Sequence, residues 1–177
     1  MNNKKKRIAW GITGSGHYLK ESIEIIESLN NVDMFLSQAG EEVLKWYNYK
    51  LNDFKKSGVK IFKDVTASSA PVSLFYEDIY DVLIISPATS NTVAQMVYGF
   101  SDNLITNIFA QAGKCNIHSI VLACDTEPVV ITPAPGKMVT VYPREIDLKN
   151  YELLKKFKNT DVVRNSNELK KIINKRK

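Results

Sequence analysis

Residues 7–22, RIAWGITGSGHYLKES, set an apolar run directly ahead of three glycines and a helix-like pattern directly behind them. Gly11, Gly14 and Gly16 permit positive φ and close backbone approach at such a junction. A helix that starts just past the turn offers free N–H groups and a positive dipole end to an anion. The stretch therefore predicts a strand, a turn that holds a phosphate, and a helix. A tight turn with no ligand is the simpler alternative. Thr13 and Ser15 add hydroxyl donors, and His17, at the helix start, is expected to be neutral because a helix N-terminus disfavours a cation.

The same alternation continues along the chain. Strand-like runs at 7–13, 32–37, 59–62, 81–87 and 118–124 alternate with helix-like patterns at 18–29, 39–49, 91–113 and, near the end, 147–158 and 166–175. Residues 71–79 read as a helical turn, and the 91–113 region as two helices broken near Gly99. Residues 125–137 read as a Pro/Gly-rich loop before a short strand, MVTVY. Alternation of this kind predicts one α/β domain over 1–177, three-layered and Rossmann-like (flavodoxin-like), with a mostly parallel sheet. Ligands in such sheets bind at the carboxyl ends of the strands, which directs attention to the loops after Thr13, Leu36, Ser86 and Ala123.

The turn does not read as a dinucleotide fingerprint. A G-x-G-x-x-G begun at Gly14 needs glycine or alanine at position 19, where Leu19 stands. The second strand ends at Ser37 with no carboxylate for a ribose, and Asp33 comes too early. No G-K-[ST] follows, so a Walker A loop is also excluded. A mononucleotide phosphate is the remaining expectation. A second polar group, Thr89, Ser90, Asn91 and Thr92, follows the buried 81–87 run and precedes a helix. One cap explains one of these residues, not four. With no charge among them, they suit a neutral ring edge or a polyol chain.

Together, GITGSG (11–16), PATSNT (87–92) and GFSDNLIT (99–106) resemble the superfamily of flavin-containing cysteine decarboxylases, flavin prenyltransferases and archaeal flavoproteins related to dihydromethanopterin reductase. The resemblance spans roughly residues 7–145. It implies FMN, with the phosphate at Gly14, Ser15 and Gly16 and the ring near Ser37, Thr89 and Asn91; Thr13, His17, Ala88 and Thr92 complete the expected cofactor set. Asp102 and Asn103 match the family's helix, as caps or as contacts to a neighbouring subunit's flavin. The family forms trimers or larger shells with FMN between subunits.

Within that superfamily the cysteine decarboxylases carry a P-x-M-N-x-x-M-W clamp, whereas this chain has TPAPGKMVTVYPREID, and neither Cys115 nor Cys124 reads as a flap cysteine. The opening and the late YPREIDL are most similar to the archaeal flavoproteins. The resemblance then implies an FMN-dependent reductase or electron carrier fed by a ferredoxin-like donor, with a pterin as the acceptor. A lyase or prenyltransferase of the same fold is the alternative.

Composition excludes several other classes. Two cysteines and two histidines, with no C-x-x-C, offer no metal or iron–sulfur ligand set. Free thiols fit a reducing cytoplasm. No apolar run reaches the ~18 residues of a membrane span, and no export signal is read at 1–7. The +5 net charge gathers at KKKR (4–7) and at 168–177 without interleaved aromatics, which reads as two solvated ends and not a nucleic-acid surface. Lys137, Arg144 and Lys149 would suit an acidic protein donor.

Overall fold

The computed structural model describes residues 6–56, 58–66 and 69–176. Lys4, Lys5 and Lys177 of the two basic ends, and most of the stretch read for an export signal, lie outside the described residues. Six parallel strands form the main sheet: β1 (Arg7–Ile12), β2 (Val32–Leu36), β3 (Lys60–Lys63), β4 (Tyr80–Ala88), β5 (His118–Ala123) and β8 (Thr160–Val163). Their order is β3-β2-β1-β4-β5-β8, so the winding reverses between β1 and β4. This is the Rossmann order; flavodoxins wind 2-1-3-4-5.

Both faces of the sheet are buried, as continuous apolar strands demand. Ile8, Trp10 and Ile12 of β1 join Met34, Leu36, Val82 and Ile84 on one face. Helices α1 (Leu19–Glu27), α2 (Gln38–Trp46), α3 (Leu51–Lys56) and α7 (Ser166–Asn174) cover that face. On the other, Ala9, Phe35, Leu83, Ile85 and Val121 pack under α4 (Ser90–Val97), α5 (Leu104–Lys114) and Leu154 of α6 (Glu145–Leu154). The helical turn expected at 71–79 is a 3-10 helix, Ala70–Phe75.

Two expectations need correction. The Pro/Gly-rich segment is not all loop: β6 (Val130–Ala134) pairs antiparallel with β7 (Lys137–Val141) as a separate hairpin. Pro133 is tolerated because a two-stranded sheet has no central strand. The glycine turn does not use positive φ either. The left-handed residue there is Tyr18, at φ 62, while Gly14 and Gly16 serve close approach: a Cβ on Gly14 would stand 2.6 Å from the Ala39 Cβ.

Candidate functional site

Strand ends gather at the carboxyl edge of the sheet, and the winding reversal opens a crevice beside β1 and β4. Thr13 closes its floor. Its Oγ1 donates to the Pro87 carbonyl at 2.8 Å and accepts the Thr89 amide at 2.9 Å, so this hydroxyl ties β1 to β4 and is not free for a ligand, contrary to the expectation that it adds a donor. The Ser15 oxygen accepts the His17 amide and the Cys124 thiol, at 3.1 and 3.2 Å, which leaves its own proton to point elsewhere.

A cavity of about 390 Å3 lies between the glycine turn and the β6–β7 hairpin. Gly14, Ser15, Gly16 and His17 of the turn, Asp125, the hairpin's Thr132 and Pro133, and Arg144 and Asp147 are among the residues that line it. Tyr47 braces the hairpin beside Gly16. Its hydroxyl donates to the Pro133 carbonyl at 2.9 Å and stands where a Gly16 Cβ would point. The glycine is thus required by the hairpin's approach.

Three observations fit an anionic or polar ligand here. First, α1 starts without a side-chain cap, whereas Ser37, Thr89 and Asn103 cap α2, α4 and α5 by accepting amides of the first turn. Amides left uncapped at a helix N-terminus need another acceptor. Second, His17 Nδ1 and Thr132 Oγ1 are buried with no hydrogen-bond partner among the described residues, and both residues line this cavity. Buried polar atoms without partners are costly, and a ligand removes that cost. Third, burial holds the His17 imidazole below its usual pKa, with Asp125 and Glu21 pulling weakly the other way, so the ring is neutral near pH 7. It stacks on Tyr18 at 3.9 Å between ring centroids.

The expected cofactor residues divide into groups. Gly14, Ser15, Gly16 and His17 meet on the cavity. Ser37 and Thr89 cap their helices through Gly40 N and Thr92 N. Ala88 and Thr92 are buried, while Asn91 is exposed on the first turn of α4. Asn103 caps α5 and, with the exposed Asp102, bonds Gln95; Asp64 accepts the Leu104 amide at the same helix end. Sequence reading missed Asp125, Thr132 and Tyr47. Their signals were faint, since each lies in a segment with no motif of its own.

The cysteines are both free, as expected, though Cys115 is only half-buried. Burial pushes the Cys124 thiol up to about 12, so it is no thiolate. Of the cations expected to form a docking surface, Arg144 pairs with Asp147 at 2.7 Å and Lys149 with Glu145 at 2.6 Å, and both cations stay largely exposed. Among the described residues no group of three acidic, histidine or cysteine side chains could hold a metal, and no helix is long and apolar enough to cross a membrane.

A Rossmann-ordered sheet with a glycine turn and a capped polar segment at its winding reversal defines a nucleotide-binding α/β protein. The chain belongs to the Flavoprotein family, whose model matches residues 1–175. It is 46% identical to Burkholderia xenovorans DmrB, described in complex with FMN as a cubic protein cage for redox transfer; the two superpose with a TM-score of 0.90 over 98% of this chain and 96% of DmrB. Dihydromethanopterin reductase (acceptor) of Methanosarcina mazei is 39% identical over 142 residues, 73% of this chain, and the match spans 59% of that reductase. A dodecameric FMN-dependent UbiX-like decarboxylase of Escherichia coli O157:H7 shares the fold alone, at 15% identity, TM-score 0.67, and coverage of 89% and 79%.

Proposed function

We propose that the protein binds FMN and acts as a reductase or electron carrier, with a ferredoxin-like donor and a pterin-type acceptor. The observation that carries the reading is the coincidence, on one cavity, of an uncapped helix N-terminus and two buried polar atoms lacking partners. Likeness to an FMN-bound redox protein and to a pterin reductase supports the choice of cofactor and acceptor.

Bound FMN would supply one- and two-electron chemistry of its own. The chain's residues bind and orient it. The start of α1 and the Gly14 and Gly16 amides would hold the phosphate, with the Ser15 hydroxyl free to donate, while the Ser15 and His17 amides are already bonded to the Thr13 carbonyl and the Ser15 oxygen. Neutral His17 offers a hydrogen bond without adding charge. The Tyr47 hydroxyl ties the hairpin down beside the cavity through the Pro133 carbonyl. Asn91 and the α4 and α5 starts lie along the same sheet edge, for the ring or a neighbouring subunit's flavin.

Homo-oligomers, trimers or larger, with FMN between chains, complete the proposal. Decarboxylation finds little here, since neither cysteine stands over the cavity as an activated thiol. The deciding experiment releases the cofactor from purified protein for mass spectrometry, then reduces the protein anaerobically with ferredoxin. One FMN per chain and reduction of the flavin are expected. FAD, or no flavin at all, ends the proposal, and carbon dioxide release from phosphopantothenoylcysteine moves it to the lyase class.

A further inference from the structure

Cys124 directly follows β5, is buried, and reaches the glycine turn across the sheet edge. Its thiol donates to the Ser15 hydroxyl oxygen at 3.2 Å, with the His17 carbonyl at 3.7 Å as a second acceptor. The His17 amide donates to the same Ser15 oxygen at 3.1 Å, and the Ser15 amide is bonded to the Thr13 carbonyl at 2.9 Å. A hydroxyl oxygen has two lone pairs and one proton. Both lone pairs of Ser15 are therefore taken, one by an amide and one by a thiol. Among the described residues no oxygen or nitrogen accepts the proton that remains.

Burial pushes the thiol up to about 12, so at neutral pH it stays protonated and acts as a donor. A serine hydroxyl left alone turns among staggered positions. Two donors on its oxygen leave the proton one direction. Ser15 lines the same cavity as the buried, unpartnered His17 Nδ1, beside the uncapped start of α1. An anionic oxygen in that cavity is the acceptor that the Ser15 proton lacks. A donor already aimed at it loses little freedom when the ligand binds.

We propose that Cys124 is a positioning residue for the cofactor phosphate: its thiol holds the Ser15 hydroxyl so that the proton points at a phosphate oxygen. The assignment rests on the FMN reading above. Cys124 then helps the chain prefer a phosphorylated flavin to riboflavin without touching the flavin itself. When the thiol is removed, the freed lone pair lets the hydroxyl turn, and the charge-assisted bond to phosphate weakens.

Fluorescence titration of the protein freed of its flavin, with FMN and with riboflavin, tests this. The intact protein is expected to favour FMN. Cys124→Ala should lower the FMN-to-riboflavin affinity ratio by about 5-fold, the size of one ordinary hydrogen bond, with riboflavin affinity unchanged. Cys124→Ser keeps a donor and should retain most of the ratio. In a Ser15→Ala background, Cys124→Ala should change the ratio no further, because the group it positions is gone. Riboflavin binding reports an intact fold in each variant. An intact protein that binds neither flavin removes the underlying reading. An intact protein that favours FMN overturns the Cys124 assignment alone if Cys124→Ala keeps the full ratio, or weakens both flavins equally. So does a Cys124→Ser protein that falls as far as Cys124→Ala, or an undiminished Cys124→Ala effect without Ser15; either would make the sulfur a packing group.

Discussion

At the scale of single residues, side chains that look alike in sequence do different work. Thr13 and Ser15 are both hydroxyls in one turn, yet the first is locked between β1 and β4 and the second keeps its proton. Asp33 is a buried carboxylate at the opposite edge of the sheet, bound by the Arg7 guanidinium and by the Tyr80 hydroxyl at 2.9 Å. It braces the amino ends of the strands and is remote from any ribose site. His17 gives a pH dependence. Its folded pKa lies below 6.5, so the unfolded chain takes up a proton that the folded chain refuses. Stability is therefore full above about pH 6.5 and falls as pH drops toward the folded value. Urea denaturation at pH 7.5 and 5.5 should show a smaller loss for His17→Gln than for the intact protein. Equal losses would mean that His17 titrates alike in both states.

At the scale of elements, close approach explains the glycines. Gly40, in the first turn of α2, has no place in the glycine motif. A Cβ there would stand 2.4 Å from the Ile12 carbonyl oxygen, a backbone atom that cannot swing aside. Gly40→Ala should push α2 off β1 and cost ~1–3 kcal/mol, the range for overpacking a tight contact; a urea midpoint equal to that of the intact protein would contradict it. Such a contact is invisible in sequence because it joins two elements. Strand β8 escaped for a related reason: four residues, TDVV, are too few to show a period, and only pairing with β5 makes them a strand. Of the hairpin, MVTVY read as a strand and became β7, but β6 escaped because the prolines and glycine around it read as loop.

At the scale of the molecule, the helices after Asn91 carry many apolar residues, Val93, Met96, Val97, Tyr98, Phe100, Leu104, Ile105, Ile108 and Phe109. Most of that surface is spent internally: Val93, Met96, Leu104, Ile105, Ile108 and Phe109 are all buried. What remains is narrower. Tyr98, 59% exposed, shares a groove with Ile146 and Leu153 of α6, and Phe100 stands nearby in sequence at 61%. Exposed apolar groups of this size commonly mark an interface between copies. Sedimentation should show the intact protein as a trimer or larger and Tyr98→Glu shifted toward monomer. A monomeric intact protein would refute the oligomer, and an unshifted variant would move the interface elsewhere.

Sequence by itself determined the class of fold and the place of the glycine turn, because period and turn chemistry are local properties, carried by neighbours along the chain. Residues 7–16 carry the strand-and-turn pattern in their own order. The shape of the cavity was decided only in the tertiary structure. Gly16, Tyr47, Asp125 and Thr132 come from four separate segments, and their meeting depends on the strand order β1-β4-β5 and on a hairpin folded back over α1's start. Burial, which leaves His17 Nδ1 and Thr132 Oγ1 without partners, is a property of that packing and of no single stretch of sequence.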